Sequence, residues 1–195
     1  MSNPVKILAF AGSARRDSFN KKLAHVAAQY AEAAGAEVTF VDLKDYPMPL
    51  YNQDLEAESG LPEAVLQFKA LLKSHQGFII ACPEYNGSIT PLLKNAIDWA
   101  SRPEPEEASL SLTCFKGKVA ALLATSPGGL GGLRGLVHVR AILEGIGVIV
   151  IPQQKAIGGA YQAFDEAGQL TEEKQAEAVR AIAQRLVEVT AKLNA

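Results

Sequence analysis

The chain has 195 residues, of which 48% are hydrophobic and 21% charged, with a formal net charge of −2. That length suits one domain with a substantial core, so residues 1–195 are expected to form a single unit. The near-neutral charge offers no electrostatic attraction to nucleic acid or a membrane surface, and no apolar run is long enough to span a bilayer.

Val5–Phe10 is short and apolar and runs into Gly12-Ser13, which predicts a buried strand. From about Asn20 to Ala34, Leu23, Val26, Ala27, Tyr30 and Ala34 recur at helical spacing, and Gly35 stops the helix. Val38–Val41 is a second strand. A long loop carrying Pro47, Pro49, Asn52 and Gly60 follows it. Pro62 suits the first turn of a helix bearing Val65, Leu66, Phe68, Leu71 and Leu72. Gly77–Cys82 is a third strand. Thr90 as N-cap and Pro91 at the first position open a helix that ends near Arg102. Val119–Ala124 is a fourth strand, residues 134–145 a helix, and Val148–Ile151 a fifth strand. Thr171-Glu172-Glu173 starts the last helix, with acidic residues where the helix dipole favours them. Its apolar face is Val179, Ile182, Ala183, Leu186, Val189 and Leu193.

Five near-continuous apolar strands alternating with five helices specify an α/β fold, a doubly wound five-stranded parallel sheet with helices on both faces. The order 2-1-3-4-5 fits this count, and its topological switch lies between the first and third strands. Ligands bind outside the carboxyl ends of such strands at the switch. The loops there are Gly12–Asn20 and Pro83–Ser88.

The first loop, GSARRDSFN (residues 12–20), enters a helix, and a helix N-terminus presents unpaired N–H groups and partial positive charge. Ser13 and Ser18 add hydroxyls, Asn20 an amide, and Arg15 or Arg16 a guanidinium able to grip two oxygens. This suits a phosphate, although neither a Walker A nor a GxGxxG pattern is present. A capped, solvated turn with two surface arginines is the alternative. The second loop, PEYNGS (residues 83–88), offers an aromatic, an amide and a turn glycine between strand and helix, residues that bind more readily than they pack. Gly87 is expected to need positive φ and close approach.

Elsewhere the readings are plainer. Met1–Lys6 leads into an apolar stretch too short and too poorly flanked for a signal peptide. Cys82 and Cys114 have the spacing of neither a metal knuckle nor a disulfide framework and read as reduced, partly buried thiols of a cytoplasmic protein. His25, His75 and His138 are scattered, so no metal site is expected. His138 reads as structural, and Trp99 as core or subunit contact in preference to a stacking residue. Arg134 and Arg140 read as surface charges, one of which could hold a cofactor phosphate. Glu84 reads as a solvated loop charge, and residues 104–108 with their neighbours as an exposed acidic linker. No Ser-His-Asp or Cys-His signature supplies a nucleophile, so no catalytic side chain is assigned.

Three stretches, in order, resemble the NADPH-dependent FMN reductases of the flavodoxin-like superfamily, which include quinone and chromate reductases. They are GSARRDSFN, PEYNGSITPLLKNAIDWASRP and SPGGLGGLRGLVHVRAILEGIGV, and the likeness runs from the first strand to the last helix. The resemblance implies that Ser13, Arg15, Ser18 and Asn20 hold the phosphate of bound FMN. It also implies that Pro83, Glu84, Tyr85 and Asn86 lie along the isoalloxazine ring, with Gly87 as the turn residue. Ser126, Gly128 and Gly129 would reach the flavin from its other side. Arg16-Asp17 replaces a smaller pair, and Cys82 stands where threonine is frequent. The implied activity takes a hydride from NADPH or NADH and reduces quinones, azo or nitro compounds, metal oxyanions such as chromate, or free flavin. A homodimer or homotetramer is implied as well. The alternative is a flavodoxin-like electron carrier serving protein partners.

Overall fold

The computed structural model describes residues 3–195. Its strands are β1 (Lys6–Ala11), β2 (Glu37–Val41), β3 (Gly77–Ala81), β4 (Val119–Thr125) and β5 (Ile149–Ile157). They form one parallel sheet in the order β2-β1-β3-β4-β5. The helices are α1 (Phe19–Ala33), α2 (Gln53–Ser59), α3 (Glu63–Ser74), α4 (Pro91–Ala100), α5 (Leu133–Gly145) and α6 (Glu173–Leu193). The five-stranded doubly wound architecture and its order are therefore as the sequence implied.

Side chains along each strand alternate between two cores, as the two-residue period of a strand requires. Leu8, Phe10, Phe78, Ile80, Ala120 and Leu122 face α3, α4 and α5, meeting Phe68, Leu72, Leu93, Ile97, Leu136 and Val139. Ile7, Ala9, Ile79, Ala81, Ala121 and Leu123 face α1 and α6 on the other side. Many of the residues on that second face are alanine, which lets α1 lie close to the sheet. Trp99 is fully buried and its indole N–H donates to the Pro49 carbonyl, so it is a core residue.

Three expectations need correction. The loop after β2 contains a single 3-10 turn (Leu43–Asp45) and the short helix α2, capped by Asn52 at its start and Gly60 at its end. No α2 residue is buried, so α2 has no apolar periodicity to announce it. The fifth strand does not end at Ile151 but continues past Pro152 to Ile157, through a register shift opposite Ala120–Leu122. Proline is tolerated there because β5 is an edge strand with a bulge. Arg140 is not a free surface charge: its guanidinium donates to the carbonyls of Val150 (3.3 Å) and Ile151 (2.9 Å) and to Gln154 Oε1 (3.0 Å), knitting the bulge to α5.

The acidic stretch after α4 is a clamp. Glu107 pairs with Lys73 at 2.6 Å and accepts from Thr113 at 2.7 Å, while the buried Lys69 donates to the Ala100 carbonyl that ends α4. Among the described residues, no helix is long and apolar enough to cross a membrane.

Candidate functional site

The β1–α1 and β3–α4 loops leave adjacent strands at their carboxyl ends and are bonded to each other. Thr90 is the α4 N-cap: its hydroxyl accepts from the Leu93 N–H and donates to the Gly12 carbonyl at 2.7 Å. A Cβ at Gly12 would lie 3.0 Å from Leu93 Cβ, so the missing side chain lets the first loop pack tightly against the start of α4. The two turns are one structural unit.

The first loop is built as a donor array. Ser13 Oγ accepts from the Arg15 N–H, and Ser18 Oγ, the α1 N-cap, accepts from the Lys21 N–H. Each hydroxyl therefore keeps its O–H to donate. The Lys22 N–H bonds the Ser18 carbonyl. Among the described residues the N–H groups of Phe19 and Asn20 find no acceptor, which leaves the positive end of the α1 dipole open. The Arg15 guanidinium lies 5.2 Å from the centroid of the Phe19 ring. Asn20 is tied across the site to the end of β4: its amide nitrogen donates to the Thr125 carbonyl at 2.8 Å and its oxygen accepts from the Thr125 N–H at 3.0 Å. One of its two amide N–H groups is thus engaged in joining α1 to β4.

The second loop closes as a two-residue hairpin turn. Tyr85 and Ser88 exchange both backbone hydrogen bonds, at 2.9 and 3.0 Å, around Asn86 and Gly87. Both central residues have positive φ, 52° and 79°, the pairing for which Asn-Gly is suited. The turn projects Tyr85 outward, 56% exposed.

Glu84 differs from its sequence reading. Its carboxylate accepts from the Arg134 N–H (3.0 Å) and the Gly135 N–H (3.2 Å) and pairs with the Arg134 Nε at 2.7 Å. It is a helix cap supplied from a distant loop, standing where Gly132 at the start of α5 has no side chain to cap with. Burial opposes its ionisation, but the Arg134 guanidinium and the two N–H groups outweigh this and hold its carboxyl below the usual carboxylate range. Arg134 is correspondingly an ion-pair partner. His138 contacts the Ser88 hydroxyl at 2.8 Å and so braces the hairpin from α5. Burial pushes the Cys82 thiol up to about 12, which makes it an inert core group beside the site.

The β4–α5 loop forms the far side. Gly131, at φ 62°, lies so close to β5 that a Cβ would sit 2.5 Å from the Ile157 carbonyl carbon. This loop is packed down onto the sheet end by the absence of side chains.

Two adjoining cavities result. One, of about 230 Å³, is lined by Ser13, Arg15, Ser18, Asn20, Pro83, Glu84, Tyr85 and Ser126, among others. The other, of about 590 Å³, is lined by Glu84, Asn86, Gly87, Ser126, Gly128, Gly129 and Arg134, among others. They share Glu84 and Ser126 as a common wall. Every candidate binding residue from the sequence borders one of them, and Arg16 borders neither. The smaller offers hydroxyls, a guanidinium and helix-start N–H groups, the donor set of a phosphate monoester dianion. The larger, bordered by glycines and an Asn-Gly turn, has room for a planar ring. The pair fits FMN. Phe19, Thr125, Pro127 and Tyr161 also line the smaller cavity. Nothing in the sequence singles out these four, because Tyr161 lies on a loop beyond the sheet and the others sit beside residues with stronger donors.

A family model described as NADPH-dependent FMN reductase matches residues 5–162. An NAD(P)H-dependent FMN reductase of Pseudomonas aeruginosa is 36% identical over 181 residues, covering 92% of each chain. An NAD(P)H:quinone oxidoreductase of Solanum tuberosum is 34% identical over 195 residues, covering 97% of this chain and 95% of its own. Among solved structures, the flavoenzyme NAD(P)H:(acceptor) oxidoreductase FerB from Paracoccus denitrificans superposes with a TM-score of 0.81 at 31% identity, covering 96% of this chain and 98% of its own. An archaeal flavodoxin, at 9% identity and a TM-score of 0.60, shares the fold alone. With a donor-lined cradle at the switch point of a flavodoxin-like sheet, and relatives of this kind along its whole length, the chain is a flavoprotein oxidoreductase and belongs to the NADPH-dependent FMN reductase family.

Proposed function

We propose that this protein binds FMN in the joined cavities and uses NADPH or NADH to reduce small electron acceptors, quinones first among them. Bound FMN would supply the redox chemistry, so the protein's part is binding, orientation and electrostatics. Ser13, Arg15, Ser18 and the free N–H groups at the start of α1 hold the phosphate. Asn20 fixes the helix start against β4. Pro83 to Gly87 border one side of the ring, and Ser126, Gly128 and Gly129 the other. The backbone N–H groups of Gly128 and Gly129 donate to no backbone acceptor among the described residues and are placed to stabilise negative charge on the ring's edge. Glu84, held ionised by Arg134, ties the second loop to α5 and keeps the two walls at a fixed spacing.

The observation that carries this reading is the hydrogen-bonded junction of the two loops, which makes a phosphate site and a ring-sized slot share a wall. An open slot in which each substrate takes its turn favours ping-pong turnover and a permissive acceptor range, including azo and nitro compounds, chromate and free flavin. Leu130 on the slot's lining and Leu133 and Val137 on α5 are 44–59% exposed, which supports self-association into a homodimer or homotetramer. The carrier reading requires turnover to depend on a protein partner. Anaerobic addition of NADPH to the FMN-loaded protein distinguishes the two. Bleaching of the flavin band, and its return on adding a quinone, supports the reductase; a band that persists until a partner protein is added supports the carrier.

A further inference from the structure

Phe19, in the first turn of α1, serves as a platform for several groups. The Arg15 guanidinium lies over its ring at 5.2 Å, Phe164 stacks with it at 6.2 Å and an interplanar angle of 10°, and Tyr161 meets it edge-on at 5.4 Å. Tyr161 and Phe164 belong to the segment between β5 and α6, beyond the three motif stretches of the sequence, Tyr161 just inside the end of the family match at residue 162 and Phe164 just past it. That segment is fixed in place by backbone bonds: the Ser126 N–H donates to the Ile157 carbonyl and the Ala160 N–H to the Ser126 carbonyl. Tyr161 is thus an aromatic with a held ring and a held backbone. Yet it is 72% exposed, and its hydroxyl has no hydrogen-bond partner among the described residues. It also lines the smaller cavity, together with Arg15.

We propose that Tyr161 is an additional ligand of the phosphate, its phenol O–H donating to a phosphate oxygen while Arg15 supplies the charge, with Phe19 positioning both. The inference rests on the reading of the smaller cavity as the phosphate site. A phenol suits this role because it adds a donor on a stiff side chain with little rotamer freedom to lose. The two phosphate contacts then come from the β1–α1 loop and from the segment after β5, so the phosphate is held between the first and last loops at this end of the sheet.

The proposal is tested by fluorescence titration with FMN and, separately, with riboflavin, which has the same ring and no phosphate. Tyr161→Phe removes only the hydroxyl and is expected to raise the Kd for FMN about tenfold, as loss of one hydrogen bond to a charged group does. Its Kd for riboflavin should equal that of the unaltered protein. Phe19→Leu should weaken FMN at least as much as Tyr161→Phe, and unchanged FMN affinity in that variant would overturn its part as the platform. An unchanged FMN Kd in Tyr161→Phe, with Arg15→Ala still weakened, sinks the role of Tyr161 and leaves the cavity assignment standing. Equal weakening of FMN and riboflavin by Tyr161→Phe also sinks it, since the hydroxyl would then serve the ring. If the unaltered protein binds FMN no better than riboflavin, the cavity assignment itself fails and this inference with it.

Discussion

At the scale of single residues, neighbouring side chains of one type are sorted by what they touch. Arg15 borders the donor-lined cavity and lies over Phe19, whereas Arg16 borders no part of it. A hydrogen bond to a charged group contributes roughly 1.5–3 kcal/mol. Arg15→Ala should therefore weaken FMN binding about tenfold or more, and Arg16→Ala should change it little, as read by equilibrium titration. Thr90 carries two bonds from one hydroxyl, one capping α4 and one holding Gly12. Thr90→Val keeps the shape and loses both, so urea unfolding should show a loss of about 1–2 kcal/mol, the upper range for an N-cap. A loss near zero would mean that the loops are joined by packing alone. Some of this detail is legible in the sequence and some is not. Gly87 announces its positive φ through the Asn-Gly pair, a local signal. Glu84 cannot announce that it caps α5, because its partners Arg134 and Gly135 lie about fifty positions away and become neighbours only when β3 and β4 pair.

At the scale of elements, what the sequence conceals has weak or misleading periodicity. Helix α2 buries nothing, so only its caps, Asn52 and Gly60, betray it. Pro152 looks like the end of β5 because proline cannot donate to a ladder, but Arg140 satisfies the carbonyls around the bulge and the strand resumes. The segment after α4 is concealed by composition: acidic residues between prolines resemble a solvated linker, and the lysines that hold them are on α3. This clamp has a pH signature. Burial opposes ionisation of Glu107, but Lys73, the Glu104 N–H, Thr113 and Lys69 outweigh it and bring the carboxyl from an ordinary 4.5 down to about 2. Its folded value is depressed, so the unfolded chain binds more protons in this range and stability falls as pH falls. The contribution is complete above pH 4.5 and is lost as pH drops toward 2. Glu107→Gln should lower the urea midpoint at pH 7 and flatten its fall across that window. A variant with the same acid slope as the unaltered protein would show that the clamp contributes nothing there.

At the scale of the whole molecule, the alternation of apolar strands and helices gives a parallel sheet covered on both faces, the count of five strands fits the order 2-1-3-4-5, and that order points to the switch where the cavities lie. Phe68 illustrates what holds that frame: it is buried beneath the sheet with Phe10 edge-on at 5.7 Å, and Phe68→Ala should cost about 3–5 kcal/mol in a denaturant melt. The proposed function rests on this frame: two loops from adjacent strands are bonded into a single cradle, one carrying hydroxyl, guanidinium and N–H donors and the other the Asn-Gly turn. The most direct measurement is a crystal structure of the protein loaded with FMN. The account predicts the phosphate within hydrogen-bonding distance of Ser13, Arg15 and Ser18, and the ring beside the Tyr85–Gly87 turn. A flavin bound elsewhere, or one whose phosphate lies in solvent while the α1 N-terminus stays unliganded, would contradict it.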